Sequence, residues 1–232
     1  MVVDNKDRLI FALDVPEVDQ AKQLVSELGT TVSFYKIGME LMMTGNYFDL
    51  LDWLVEKDKN VFVDLKLFDV PATVSKAVKR LSKRGAYFTT VHGNQSMMEA
   101  AAAEKGDLKV LAVTALTSLD QGDLNDMGFI CDVQELVISR AKRALSSGCD
   151  GIVASGLELE HIRNEVDQKL VIVTPGIRPV LNRPTDDQKR VVTVEQAFQW
   201  GADHIVVGRP IKDAANPREA AELIQESIAN SI

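Results

Sequence analysis

The chain has 232 residues, 46% of them hydrophobic, with a formal net charge of −8. That is enough apolar material for one substantial core, while no apolar run approaches a membrane span and the acidic balance argues against general nucleic-acid binding. An anionic small ligand stays open, because a few local cations outweigh a distant acidic surface.

Short apolar runs alternate with amphipathic segments from end to end. The first strand is expected at Leu9–Leu13, with a helix over Val18–Leu28. The second is expected at Ser33–Ile37, with a helix over Tyr47–Lys57. Strands at Val61–Leu65 and Tyr87–Val91 precede helices at Val74–Arg84 and Ser96–Glu104. Lys109–Val113 and Gly151–Val153 precede Gln134–Ser147 and Leu159–Glu165. Leu170–Val173 and His204–Val207 precede Val194–Trp200 and Arg218–Asn230, and Ala220, Leu223 and Ile224 share one face of the last helix. Gly85, Gly148 and Gly201 follow helical runs, where a left-handed C-cap is expected. Eight such units with no Pro/Gly/Ser-rich linker point to the α/β class, as a single-domain (β/α)8 TIM barrel over residues 1–232. A doubly wound open sheet is the rival. The opening Met1-Val2-Val3-Asp4-Asn5-Lys6-Asp7 lacks a signal peptide's basic and apolar regions. Cys131 and Cys149 lack metal-ligand spacing, which suits reduced thiols in a cytoplasmic protein.

In a barrel the chemistry lies at the C-terminal ends of the strands. Those ends carry Asp14, Lys36, Asp64 with Lys66, His92, and Thr117 with Ser118. Phe62, Asp64 and Lys66 share one strand face by parity, as do Phe34 and Lys36, while Tyr35 and Ile37 face the helices. Burying such charges is costly unless they are paired, so they form either a structural ion cluster or a site needing fixed opposite charges. The last strand ends in Gly208-Arg209-Pro210, where backbone N–H groups and a guanidinium suit a phosphate. Thr174-Pro175-Gly176-Ile177-Arg178-Pro179 opens a polar loop to about Arg190, containing Asn182, Pro184 and Gln188, which reads as a lid over the ligand. Elsewhere, His92 is expected to be a hydrogen-bonded structural residue, His161 surface, and His204 at the wrong strand end for chemistry. Cys149, Met39, Met42 and Met43 are expected in the core, and Ser155 is either a helix cap or a ligand contact.

The run Asp64-Leu65-Lys66-Leu67-Phe68-Asp69-Val70-Pro71-Ala72-Thr73 resembles the signature of the orotidine 5′-monophosphate decarboxylase family. Phe11-Ala12-Leu13-Asp14, Tyr35-Lys36-Ile37-Gly38, Thr114-Ala115-Leu116-Thr117-Ser118 and Val207-Gly208-Arg209-Pro210-Ile211 are similar to further segments of that family, in order. The 3-keto-L-gulonate 6-phosphate decarboxylase and hexulose-phosphate synthase group shares Asp-x-Lys-x-x-Asp but uses magnesium. The continuation Val70-Pro71-Ala72-Thr73 favours the nucleotide enzyme. A barrel that only binds a phosphorylated ligand is the remaining alternative.

The resemblance implies conversion of orotidine 5′-monophosphate to uridine 5′-monophosphate in de novo pyrimidine biosynthesis, with no metal and no cofactor. It implies that Lys36, Asp64, Lys66 and Asp69 form a charged array around C6, with Lys66 as proton donor to a carbanion-like intermediate. Asp14 is implied for the ribose, Thr117 and Ser118 for the pyrimidine edge, and Arg178, Gln188, Gly208 and Arg209 for the phosphate. Asp69 and Thr73 are implied to reach the neighbouring site of a homodimer.

Overall fold

A computed structural model describes residues 3–178 and 191–232. The strands are β1 (Leu9–Ala12), β2 (Phe34–Gly38), β3 (Asn60–Leu67), β4 (Phe88–His92), β5 (Lys109–Val113), β6 (Gly151–Val153), β7 (Val171–Thr174) and β8 (His204–Val207). All eight are parallel and close in sequence order, with β1 paired to both β2 and β8. Closure rules out the open-sheet rival. The intervening helices are α1 (Val18–Leu28), α2 (Met39–Met42), α3 (Tyr47–Glu56), α4 (Pro71–Leu81), α5 (Gln95–Ala103), α6 (Gln121–Asp126), α7 (Val133–Ser146), α8 (Leu159–Glu165), α9 (Val194–Gln199), α10 (Arg209–Lys212) and α11 (Pro217–Asn230).

Local chemistry sets these boundaries. Reciprocal capping boxes start α6 (Asp120 with Asp123), α7 (Asp132 with Glu135) and α9 (Thr193 with Gln196). The α4 helix begins at Pro71, earlier than the periodicity suggested, because proline at a first helical position loses no needed N–H. Gly85, Gly148 and Gly201 all take positive φ, as expected past a helix.

The pleat sorts side chains into two layers. Inside the barrel, Ile10, Phe34, Phe62, Phe88 and Leu111 form a buried apolar cluster, with Phe34 stacked on Phe88 at 5.3 Å and Phe62 edge-on to Phe88 at 5.8 Å. Residues of the other parity, including Tyr35, Ile37, Val61 and Val63, pack into the larger cluster under the helices. Lys36 therefore stands one inward step above Phe34, and Asp64 one above Phe62. Removing one such ring, as in Phe62→Ala, costs about 3–5 kcal/mol at a site this buried.

The β3–β4 ladder is broken at one place. Val63 pairs with Thr89 and Leu67 with Val91, so Asp64, Leu65 and Lys66 stand opposite Thr90 alone. Within this bulge Lys66 takes φ 48, the left-handed region, at about 1–3 kcal/mol for a non-glycine residue.

Three expectations need correction. Met39 and Met43 are exposed and only Met42 packs on the core, because α2 is a single turn at the barrel rim whose buried member is Leu41. The inner face of α11 is Ala221, Ile224 and Ile228, with Leu223 exposed, since its contacts lie one position further round the helix. His92 lies edge-on to Phe68 at 4.9 Å, so a ring contact holds it where a hydrogen bond was expected. Cys149 is buried and its thiol is pushed up to about 12, first by burial and then by Asp150, so it is an inert core thiol. Ser155 caps a short 3-10 turn by accepting from Leu157 N, and His161 is exposed.

Candidate active site

A cavity of about 350 Å³ opens at the C-terminal mouth of the barrel, floored by Phe62 and walled by Ala12, Val113, Val153 and Val206. Four charged side chains run along one wall with alternating sign. Asp14 Oδ1 is 2.9 Å from Lys36 Nζ, Lys36 Nζ is 3.9 Å from Asp64 Oδ2, and Lys66 Nζ donates to both Asp64 oxygens at 2.9 Å. Lys36 and Asp64 are nearly enclosed, at 12% and 13% side-chain exposure, while Lys66 faces the opening at 36%.

At an effective dielectric near 20, charges 3–4 Å apart attract by roughly 4–6 kcal/mol. Desolvation of enclosed ions offsets much of that gain. The line of charges is therefore better explained by where it puts an ammonium and two carboxylates than by stability. Gly38 backs it closely: a Cβ there would lie 3.3 Å from Lys36 Nζ, so the ammonium would have to give by a few tenths of an ångström. Tyr47 passes behind the cluster, its hydroxyl donating to Ile37 O at 2.9 Å, and burial followed by the Asp64 charge raises its pKa. It stays a neutral donor.

The adjoining side of the mouth, after β7 and β8, is cationic. Arg178, Arg209 and Lys212 line the cavity beside Gly208, the residue that starts α10. Lys212 Nζ donates to Asp14 O at 3.1 Å, which ties this side to the end of β1. Thr117 and Ser118, in the loop after β5, line a third side.

The structure thus gathers Asp14, Lys36, Asp64, Lys66, Thr117, Ser118, Arg178, Gly208 and Arg209 around one cavity. Asp69 and Thr73 are not in it. Both are exposed, and Asp69 Oδ1 accepts from Val70 N at 2.7 Å. Gln188, and with it the expected lid including Pro179, Asn182 and Pro184, lies outside the described residues. His92 does not line the cavity, and its pKa is lowered by burial, then by Arg140 and Lys66.

Sequence reasoning missed Lys212 and Thr90. Lys212 sits three residues after Arg209 on a helix too short for a periodic signal. Thr90 is fully buried between Asp64 and Lys66, and its parity with the inward Phe88 was the available clue. A larger groove of about 890 Å³ lies outside the barrel between α3 and α4, along Val63, Leu65 and Leu67. Its rim holds Lys76, Lys79, Arg80, Lys83 and Arg84, but its acid, Asp52, is spent in an exposed ion pair with Arg84 at 2.8 Å, so size alone misplaces the chemistry. Among the described residues no three His, Cys, Asp or Glu side chains are placed to hold a metal ion, and no helix is long and apolar enough to cross a membrane.

Known proteins are similar to this chain over nearly its full length. The model of the orotidine 5′-phosphate decarboxylase / HUMPS family matches residues 7–224. A protein of Methylococcus capsulatus named orotidine 5′-phosphate decarboxylase is 68% identical, covering 96% of this chain and 92% of its own. One of the same name from Stenotrophomonas maltophilia is 51% identical over 97% of this chain and 94% of its own. The crystal structure of orotidine 5′-phosphate decarboxylase from Lactobacillus acidophilus superposes with a TM-score of 0.85 at 35% identity, covering 96% of this chain and 99% of that one. A closed eight-stranded barrel with an alternating charged wall and a cationic rim, matched over nearly its full length, belongs to the orotidine 5′-phosphate decarboxylase / HUMPS family.

Proposed function

We propose that the cavity decarboxylates orotidine 5′-monophosphate to uridine 5′-monophosphate, a step of pyrimidine nucleotide synthesis, using side chains alone. The chain is a carboxy-lyase by its family and its relatives' names; the residue roles below are our reading. Loss of carbon dioxide from C6 leaves an electron pair in the ring plane, where the ring π-system cannot delocalise it. Fixed opposing charge must carry that burden. The observation that supports the reading most is Lys66 Nζ, an ammonium held by both oxygens of Asp64 and facing the cavity opening.

In this reading the C6–carboxylate bond breaks, its electron pair stays on C6 beside the Lys66 cation, and a Lys66 proton moves to C6. Asp64 holds Lys66 in place and lies near the departing carboxylate. Lys36 bridges Asp64 to Asp14, which takes the ribose hydroxyls. Thr117 and Ser118 meet the pyrimidine edge. Arg209, with Arg178, Gln188 and the Gly208 backbone, takes the phosphate. That group is remote from the breaking bond, so its binding energy serves to fix the ring against Lys66.

Asp69 and Thr73 serve the neighbouring site of a homodimer. Phe68 (68% exposed) and Val70 flank Asp69 on the surface, which leaves an acid with apolar shoulders outside its own cavity. We assign the protein to the cytoplasm, a setting that suits its two free thiols.

Mixing the protein with orotidine 5′-monophosphate and following ultraviolet absorbance tests the assignment. We expect turnover that EDTA leaves unchanged. Silence with this nucleotide refutes the assignment; turnover of a sugar phosphate that EDTA abolishes then marks the magnesium-dependent chemistry, and silence with both substrates marks a binding protein.

A further inference from the structure

We infer that Thr90 is a positioning residue for the catalytic pair, a role that rests on the decarboxylase reading of this cavity. Its side chain occupies the one place where β3 and β4 lose register. Three residues of β3, Asp64, Leu65 and Lys66, stand there opposite Thr90 alone. A bulge of this kind strands backbone groups and frees the chain to rotate, so something must hold it.

The Thr90 hydroxyl holds both ends. It accepts a hydrogen bond from the Lys66 backbone N–H at 2.9 Å and donates one to Asp64 Oδ1 at 2.9 Å. The same Asp64 oxygen receives Lys66 Nζ at 2.9 Å. Backbone N–H, hydroxyl, carboxylate and ammonium thus form a closed loop through Lys66. One donor and two acceptor sites are all a hydroxyl has, and here its donor and one acceptor site are committed. Thr90 is completely buried, so water cannot replace it without rearrangement.

Two consequences follow. First, Lys66 is kept at φ 48, a conformation that alternatives would relieve if its N–H had no fixed acceptor. Second, the Asp64 carboxylate is pinned by Thr90 as well as by the lysines, so it stays in place when Lys66 gives up its proton. The neighbour Thr89 shows the contrast. It has the same side chain, but it points outward and its hydroxyl donates to Val63 O at 3.1 Å, serving only the strand.

The test compares Thr90→Val, which keeps the shape and removes the hydroxyl, with Thr90→Ser, which keeps the hydroxyl. We expect Thr90→Val to lower kcat on orotidine 5′-monophosphate by roughly 10–100-fold with KM within about 3-fold of the parent, as small misplacement of reacting groups does. Thr90→Ser should return kcat to within about 3-fold. Amide hydrogen exchange at Lys66, read by NMR, should accelerate at least roughly 10-fold in Thr90→Val and recover in Thr90→Ser. The exchange arm needs no turnover. If the parent does not decarboxylate the nucleotide, the functional reading fails and exchange alone decides on Thr90. Parental kcat and unchanged Lys66 exchange in Thr90→Val overturn the inference. A rise in KM with kcat preserved overturns it too, since that marks a role in binding rather than in positioning the catalytic pair.

Discussion

Lys66 carries both backbone strain and the proposed acid, so replacing it by glycine and by methionine separates the two. Methionine inherits φ 48 and its cost, while glycine relieves about 1–3 kcal/mol. Both variants lose the pair with Asp64, which at 36% exposure of Lys66 is worth about 1 kcal/mol or less after solvent screening. Asp64 keeps the Thr90 hydroxyl at 2.9 Å and Lys36 at 3.9 Å, so it is not left bare. Glycine adds roughly 0.5–1 kcal/mol of unfolded-state entropy. Lys66→Gly should therefore lie between about 1 kcal/mol below and about 2.5 kcal/mol above the parent, and above Lys66→Met by up to about 2.5 kcal/mol. For a domain of this size that separates the melting temperatures by up to roughly 10 °C, with glycine the higher. Both should lose activity: a general acid contributes about 10²–10⁴-fold and fixed charge about 10²–10³-fold, so kcat should drop by at least ~10⁴. Thermal melts and the absorbance assay read the two effects. Methionine melting above glycine refutes the strain, and more than about a tenth of parental kcat in either variant refutes the acid.

Three other outcomes are expected. Arg209→Ala should lower kcat/KM by roughly 10²–10⁴-fold through loss of a charge-assisted phosphate clamp, and unchanged kinetics would remove Arg209 from the site. Lys66→Ala and Asp69→Ala variants, each inactive alone, should regain about a quarter of parental activity when their subunits are refolded together, because half the dimers then hold one intact composite site; no recovery argues against sharing. His204 is buried, and burial holds its pKa below the ordinary value of about 6.5 despite the Asp7 carbonyl and Asp203, with Arg8 and Lys109 also facing it. The unfolded chain then binds the extra proton first, so stability should be lost as pH falls below about 6.5 and be level above it. Urea midpoints for the parent and His204→Leu should converge toward low pH; a constant gap refutes the assignment.

The barrel was legible because its two periodicities are carried by unambiguous residues. Phe34 and Lys36, or Phe62 and Asp64, announce one face, and Tyr35 and Ile37 the other. The charged wall followed from that parity together with the rule that barrel chemistry sits at strand ends. The bulge was not legible. Nothing in Asp64-Leu65-Lys66 marks a left-handed lysine, and Thr90 is one of two adjacent threonines whose roles differ only by direction. One-turn helices such as α2 and α10 are too short to show a period, which is why Lys212 went unseen and the methionines of α2 were assigned to the core. Asp69 and Thr73 stand exposed outside the cavity, and a single chain's pattern carries no information about a neighbouring subunit.

The aromatic cluster beneath the ion line fills the barrel below the mouth. Phe34, Phe62 and Phe88 are fully or almost fully buried there. In the proposed reaction a nucleotide lodged in the mouth stands between the breaking bond and bulk water, and the gas it sheds leaves by the same mouth. Order of departure, rather than bond cleavage, is where a substitution on the cavity wall could slow the cycle without touching Lys66.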